Sequence, residues 1–143
     1  YLAIPNAKYS EKLGALSYVY QQHLITIFAN GRITMTYVKD RNEADQLIEE
    51  ARRLINRAII YLKTHGKPNP EAVQAKKELT PTKIYELLPK TNCKMCGEQS
   101  CFTFAAKLLN GEKALQDCPL LDSKEYSHYK FQIEKMMSPI KLG

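Results

Sequence analysis

The 143-residue chain has four cysteines, at positions 93, 96, 101 and 118. All fall in one segment, Leu88 to Leu121 (LPKTNCKMCGEQSCFTFAAKLLNGEKALQDCPLL), with the spacing C-x2-C-x4-C-x16-C and a closing Cys118-Pro119. Thiols in this arrangement do metal chemistry. A cubane cluster presents four iron corners several ångström apart, each wanting one thiolate. Three ligands from a tight loop reach three corners, and a distant fourth closes the cage. Tetrahedral zinc, the competing reading, takes two short knuckles around one small ion, and here Cys101 and Cys118 make no second knuckle. The Cys-Pro closure also matches the fourth ligand of bacterial ferredoxin runs. The spacing therefore predicts one [4Fe–4S] cluster held by Cys93, Cys96, Cys101 and Cys118, with a zinc staple as the alternative.

The residues between these thiols fit a cluster. Gly97 is free to take a left-handed conformation and turn backbone N–H groups toward sulfur. Cys101 opens a predicted helix over Cys101 to Leu109, whose N-terminal dipole end favours an anion. Phe102, Phe104 and Met95 are candidates for shielding it from water. Gly111 ends that helix and turns the chain back toward Cys118. Ahead of the segment, Thr80 as N-cap and Pro81 at the first helical position start a short helix ending by Leu88.

From about Thr80 to Leu121 the sequence resembles the small iron–sulfur domain at the start of the large subunit of the corrinoid iron–sulfur protein, from the acetyl-CoA decarbonylase/synthase system. A related segment occurs in the B subunit of Rnf electron-transport complexes. The resemblance is carried by the Leu-Pro before the first ligand, Asn92-Cys93, Cys96-Gly97, Cys101, the alanine-bearing helix, Gly111 and Cys118-Pro119. It implies a low-potential [4Fe–4S] cluster that passes single electrons to a neighbouring centre, including reductive rescue of an oxidised cobalamin. It carries over the four cysteines as ligands and nothing else. The barrel that binds corrinoid in those relatives has no counterpart here, so corrinoid binding by this chain is not implied.

The rest of the chain must position or present that segment. His23 to Ala29 and Arg32 to Val38 are two β-rich runs joined by Asn30-Gly31, the signal for a two-residue type I′ hairpin over 23–38. That turn would set Phe28 opposite Ile33 and Thr26 opposite Met35, with Leu24, Phe28, Ile33 and Met35 on the core face. Gly14 to Gln21 and Tyr1 to Ile4 are candidates for further strands. A helix over 40–65 follows, with Asp40 and Glu43 as a capping box. Ala44, Leu47, Ile48, Ala51, Leu54, Ile55, Ala58, Ile59 and Leu62 form its apolar stripe, and His65-Gly66 ends it. A last helix is predicted from about Ser123 to Met137, capped by Asp122 and Glu125. The expected architecture is α+β: residues 1–66 as a hairpin-and-helix domain, 67–79 as a linker with a helical turn or two, 80–121 as the cluster domain, and 122–143 as a C-terminal helix and tail.

Other features have plainer readings. His23, His65 and His128 are isolated and read as surface or capping residues. Tyr18, Tyr20, Tyr126 and Tyr129 read as core edge, Met136-Met137 as packing or an interface patch, and Arg52, Arg53 and Arg57 as a solvated helix face. No nucleophile–base pair, phosphate loop or paired catalytic carboxylates occur, so the chain reads as no enzyme. Net charge is +6, which suits an acidic partner. The basic residues are dispersed and no nucleic-acid reader motif is present, which argues against nucleic acid. No apolar run approaches the roughly 20 residues of a membrane span. The clustered cysteines and the lack of a leader point to a reducing, cytoplasmic setting, either free or peripheral to a membrane complex.

Three classes follow. One is an electron-transfer module for a corrinoid protein or methyltransferase complex of oxygen-sensitive, anaerobic one-carbon metabolism such as methanogenesis. The second is a redox- or oxygen-responsive regulatory protein of such a complex. The third is a zinc-stapled adaptor. Each needs a protein partner, and the cluster end around Lys90, Lys94 and Met95 is the expected contact.

Overall fold

A computed structural model describes residues 1–142. The N-terminal part is an antiparallel meander of four strands in the order β1 (Lys8–Ser10), β2 (Ala15–Tyr20), β3 (His23–Phe28) and β4 (Ile33–Met35). The first strand is Lys8–Ser10, not the expected Tyr1 to Ile4, which form turns. Helix α1 (Arg41–His65) lies on one face of the sheet.

The β3–β4 connection differs from the expected two-residue turn. Phe28 N–H donates to the Arg32 carbonyl at 2.9 Å, and Gly31 N–H donates to the Phe28 carbonyl at 3.0 Å. This is a three-residue loop, Ala29 to Gly31, in which only Gly31 has a positive φ, +87°. A type I turn followed by a left-handed glycine is the next most common hairpin loop. The Asn30 side-chain oxygen helps it by accepting from Arg32 N–H at 3.0 Å. The extra loop residue moves the register by one, so Ile25 pairs with Met35 and Ile27 with Ile33. A one-residue slip exchanges the faces. Ile25, Ile27, Ile33 and Met35 therefore face the core with Tyr18 and Leu47, while Leu24, expected inside, is exposed.

Asp40 caps α1 as expected, its carboxylate accepting from Glu43 N–H at 2.8 Å. Glu43 reaches back to Lys39 N–H. The stripe is only half used. Leu47 and Ala51 are buried and Leu54 packs at the edge, but Ile48, Ile55, Ile59 and Leu62 are exposed. The sheet is too short to cover a 25-residue helix. His23 is a correction as well: it is buried, its Nδ1 lies 2.9 Å from the Thr36 carbonyl and its Nε2 lies 3.4 Å from Glu43.

The remaining helices are α2 (Pro70–Lys77), α3 (Pro81–Glu86), α4 (Cys101–Asn110) and α5 (Ser127–Met137), with 3₁₀ turns at Leu115–Asp117 and Pro119–Asp122. Helix α5 begins four residues later than the expected Ser123. The Asp122–Glu125 cap does not form; Asp122 pairs with Lys130 instead. Helix α5 places Ile133 and Met137 in a core with Leu79, Ile84, Leu88, Phe104, Leu108 and Leu121. That core carries the cysteine segment. Among the described residues no helix is long and apolar enough to cross a membrane.

Candidate metal centre

Three elements bring the thiols together. The first is the loop from Lys90 to Ser100, which carries Cys93 and Cys96. Its backbone is unusual: Lys90, Asn92, Lys94 and Gly97 all have positive φ, between +47° and +83°. For residues other than glycine this conformation is disfavoured and clusters at functional sites. Left-handed residues are also a component of the backbone concavities that bind anions, iron–sulfur clusters included. Gly97 N–H closes a turn onto the Lys94 carbonyl at 2.9 Å.

The second element is α4, which begins at Cys101 itself. Ser100 caps it, its hydroxyl accepting from Thr103 N–H at 3.1 Å. Asn92 Oδ1 accepts from Cys101 N–H at 2.9 Å, tying the loop to the helix start. The third is the return segment. Gly111, at φ +79°, ends α4, and the chain runs back through two 3₁₀ turns that flank Cys118.

The four thiols line one small cavity, together with Leu88, Asn92, Glu98, Phe104 and Leu120. None is in a disulfide; Cys93 is exposed, Cys96 and Cys101 half-buried, Cys118 buried. Their electrostatics differ. Hydrogen bonding from the Met95 backbone and the Thr91 side chain draws the Cys93 thiol below its usual pKa. Burial pushes the Cys118 thiol up, the neighbouring Cys96 and Cys101 sulfurs add to this, and backbone N–H groups of Leu121 and Leu120 oppose it. Among the described residues no three His, Cys, Asp or Glu groups are gathered closely enough to hold a single metal ion.

Of the three candidates for shielding, only Phe104 is buried against the cavity, at 1% exposure. Phe102 is 47% exposed, edge-on to Tyr85 at 5.8 Å, and Met95 is 60% exposed. Beside them Lys90 lies over the Tyr85 ring, 5.6 Å from its centroid. His65 and His128 do not line the site: His65 stacks on Tyr61, and His128 lies tilted against Tyr129.

Residues 88–120 match the protein family described as "Putative Fe-S cluster". Curated relatives agree with that segment. The chain is 44% identical over 63 residues to the acetyl-CoA decarbonylase/synthase complex subunit gamma of Methanocaldococcus jannaschii, covering 44% of this chain and 13% of the relative. The gamma subunit of Methanothermobacter thermautotrophicus is 42% identical over 62 residues, 43% of this chain and 13% of the relative. Subunit gamma 1 of Methanosarcina thermophila is 36% identical over 61 residues, 42% of this chain and 13% of the relative. The chain thus spans a small part of the length of these relatives. No solved structure matches it. The resemblance expected from the cysteine motif is borne out, and it runs longer than the segment from Thr80 to Leu121 on which it was read.

Sequence reasoning missed three parts of the site: the left-handed lysines, the Asn92 side chain, and Glu98 with its lysines. Asparagine tolerates positive φ, so Asn92 carried a weak signal. Lys90 and Lys94 carried none, because nothing in a lysine announces a left-handed backbone.

Proposed function

We propose that the chain holds one [4Fe–4S] cluster on Cys93, Cys96, Cys101 and Cys118 and hands electrons to a protein partner. The observation that carries this is the gathering of all four cysteines around one cavity that the left-handed loop and Phe104 also line. The donor set fits the group: four thiols, each on a separate backbone position. When bound, such a cluster takes up and releases single electrons. The residues of the chain do the rest. Cys118 and Phe104 exclude water from the inner side. The N–H groups at the α4 start offset negative charge. Cys93, exposed at the rim, is the corner nearest a partner.

The partner is proposed to be a corrinoid-containing protein or methyltransferase complex of anaerobic one-carbon metabolism. The likeness to gamma subunits of acetyl-CoA decarbonylase/synthase complexes supports that class. Docking is assigned to the cluster end, where Met95 and Phe102 are exposed beside Lys90 and Lys94. The chain acts there as a carrier and not as a catalyst. A second reading rests on the exposure of Cys93: a cluster with an open corner also suits a redox-responsive regulator that binds its partner in one oxidation state.

Protein purified without oxygen should be brown and carry about four irons and four sulfides. Reduction should give the electron-resonance signal of a single cluster. Zinc in place of iron, with iron plentiful during expression, would overturn the proposal in favour of a stapled adaptor. Pull-downs with reduced and oxidised protein separate carrier from regulator, since only the regulator changes partners with oxidation state.

A further inference from the structure

Glu98 sits between two of the cysteines, Cys96 and Cys101, and is buried, its side chain 9% exposed. A carboxylate in that position is costly unless it is paired. Two ammonium groups meet it. Lys107, from α4, reaches Glu98 Oε1 at 3.0 Å, and Lys113, from the return segment, stands 3.8 Å from the same oxygen. Lys113 also donates to the Cys96 carbonyl at 2.9 Å. Its ammonium lies over Gly97, 3.8 Å from where a β-carbon would stand. The stem of Lys113 thus clamps the return segment, which leads to Cys118, onto the loop that carries Cys93 and Cys96. Glu98 and Lys107 tie that loop to the helix that carries Cys101. The triad leaves one surplus positive charge beside the thiols.

We propose that Lys113 is a positioning residue for the cluster, clamping the Cys118 segment to the Cys96 loop and biasing the bound cluster toward its reduced state. This rests on the cluster reading above. Groups that hold the ligands of a metal site typically change its retention by roughly 10–100-fold when removed. The charge has its own sign. Reduction adds a negative charge to the cluster, and a nearby ammonium favours the state with more negative charge.

The test compares anaerobically reconstituted wild type with Lys113→Met, Lys113→Arg and Lys107→Met. Iron and sulfide in the wild type are measured first. Lys113→Met should lose iron to a chelator roughly 10–100-fold faster, and its midpoint potential should move to more negative values. Lys113→Arg should restore both. Lys107→Met, which removes the same charge from Glu98 but no contact with the Cys96 carbonyl, should change retention much less. If Lys113→Met retains no cluster, while its apo form keeps the wild-type circular dichroism and Lys113→Arg loads normally, the clamp is supported. Wild-type retention and potential in Lys113→Met would overturn the proposal alone. An effect of Lys107→Met on retention equal to that of Lys113→Met would mean that pairing with Glu98, and not the Lys113 contact with the Cys96 carbonyl, holds the loop, and would overturn the clamp. Wild type without iron and sulfide would overturn the cluster reading and this inference together.

Discussion

A lysine can be buried if its ammonium finds acceptors, and Lys76 is the clearest case. It lies on α2 at 6% exposure and donates to the carbonyls of Tyr1, at 2.6 Å, and of Ile4. Burial holds its pKa down at about 8, against 10.5 for the exposed group. Between those two values the unfolded chain binds more protons than the folded one. Stability must therefore rise as pH climbs from about 8 toward 10.5, and stay flat with respect to this group below 8. At about 1.4 kcal/mol per pKa unit the gain is of order 1–3 kcal/mol, reduced by the two carbonyls that favour the charged form. Denaturant titrations of the apo protein across that range, set against Lys76→Met, check it. A wild type that loses stability relative to Lys76→Met over the window would reverse the assignment.

At the level of elements, Gly111 joins two requirements in one position. It ends α4 in the left-handed region at φ +79°. A β-carbon there would also run into the Asn6 side chain, with Asn6 Cβ at 3.0 Å. Asn6 in turn donates to the Val19 carbonyl at 2.9 Å, so the turn after α4 is seated against the sheet. Gly111→Ala should cost about 1–2 kcal/mol for the backbone alone, and more for the collision. Adding Asn6→Ala, which removes the amide but keeps Cβ, should return part of the collision cost and leave the backbone part. A double mutant whose loss equals the sum of the singles would show that Asn6 and Gly111 do not meet. Helix α1 carries the opposite lesson. Its apolar rhythm runs from Ala44 to Leu62, yet the core beneath reaches only to Leu54, and Ile55, Ile59 and Leu62 stay exposed.

For the whole molecule the question is how the two cores depend on each other. One is built on Tyr18, Ile25 and Leu47, the other on Ile84, Phe104, Leu121 and Ile133. The second core includes Cys118 and stands directly behind the thiols. Cys101→Ala should therefore lose or degrade the cluster and loosen residues 80–121, while the sheet and α1 keep their amide protection, because their apolar contacts need no metal. Hydrogen exchange followed by mass spectrometry reads this directly. Loss of protection throughout would mean that the chain folds as one cooperative body. The proposed docking belongs to this scale too. Lys90 and Lys94 are exposed at the cluster end of a chain with net charge +6. Lys90→Glu with Lys94→Glu should slow association with the partner and weaken its dependence on salt, leaving the cluster spectrum unchanged. Both side chains leave a left-handed backbone, and glutamate is no worse there than lysine. Binding that keeps its full rate in this variant, and is lost when residues 1–66 are removed, would assign the contact to the N-terminal part.

The sequence by itself determined the chemistry, because spacing along a chain limits which metal group four thiols can reach. C-x2-C-x4-C-x16-C allowed few partners, and the family match at residues 88–120 agrees with it. It also determined the starts of two helices where a cap is a local matter: Asp40 and Thr80 each hold the N–H three residues ahead, whereas the cap read at Asp122 gives way to a pair with Lys130. Local reading failed where the outcome depends on something distant. Asn30-Gly31 suits either of two hairpin loops, and the choice fell to the loop that turns Ile25 and Ile27 onto Leu47. The stripe of α1 gave the face of the helix but not how much of it the sheet covers. The Glu98–Lys107–Lys113 network was invisible for the same reason. Three charged residues read as solvated surface until the return of the chain after Gly111 brings Lys113 over Gly97 and close to the buried Glu98.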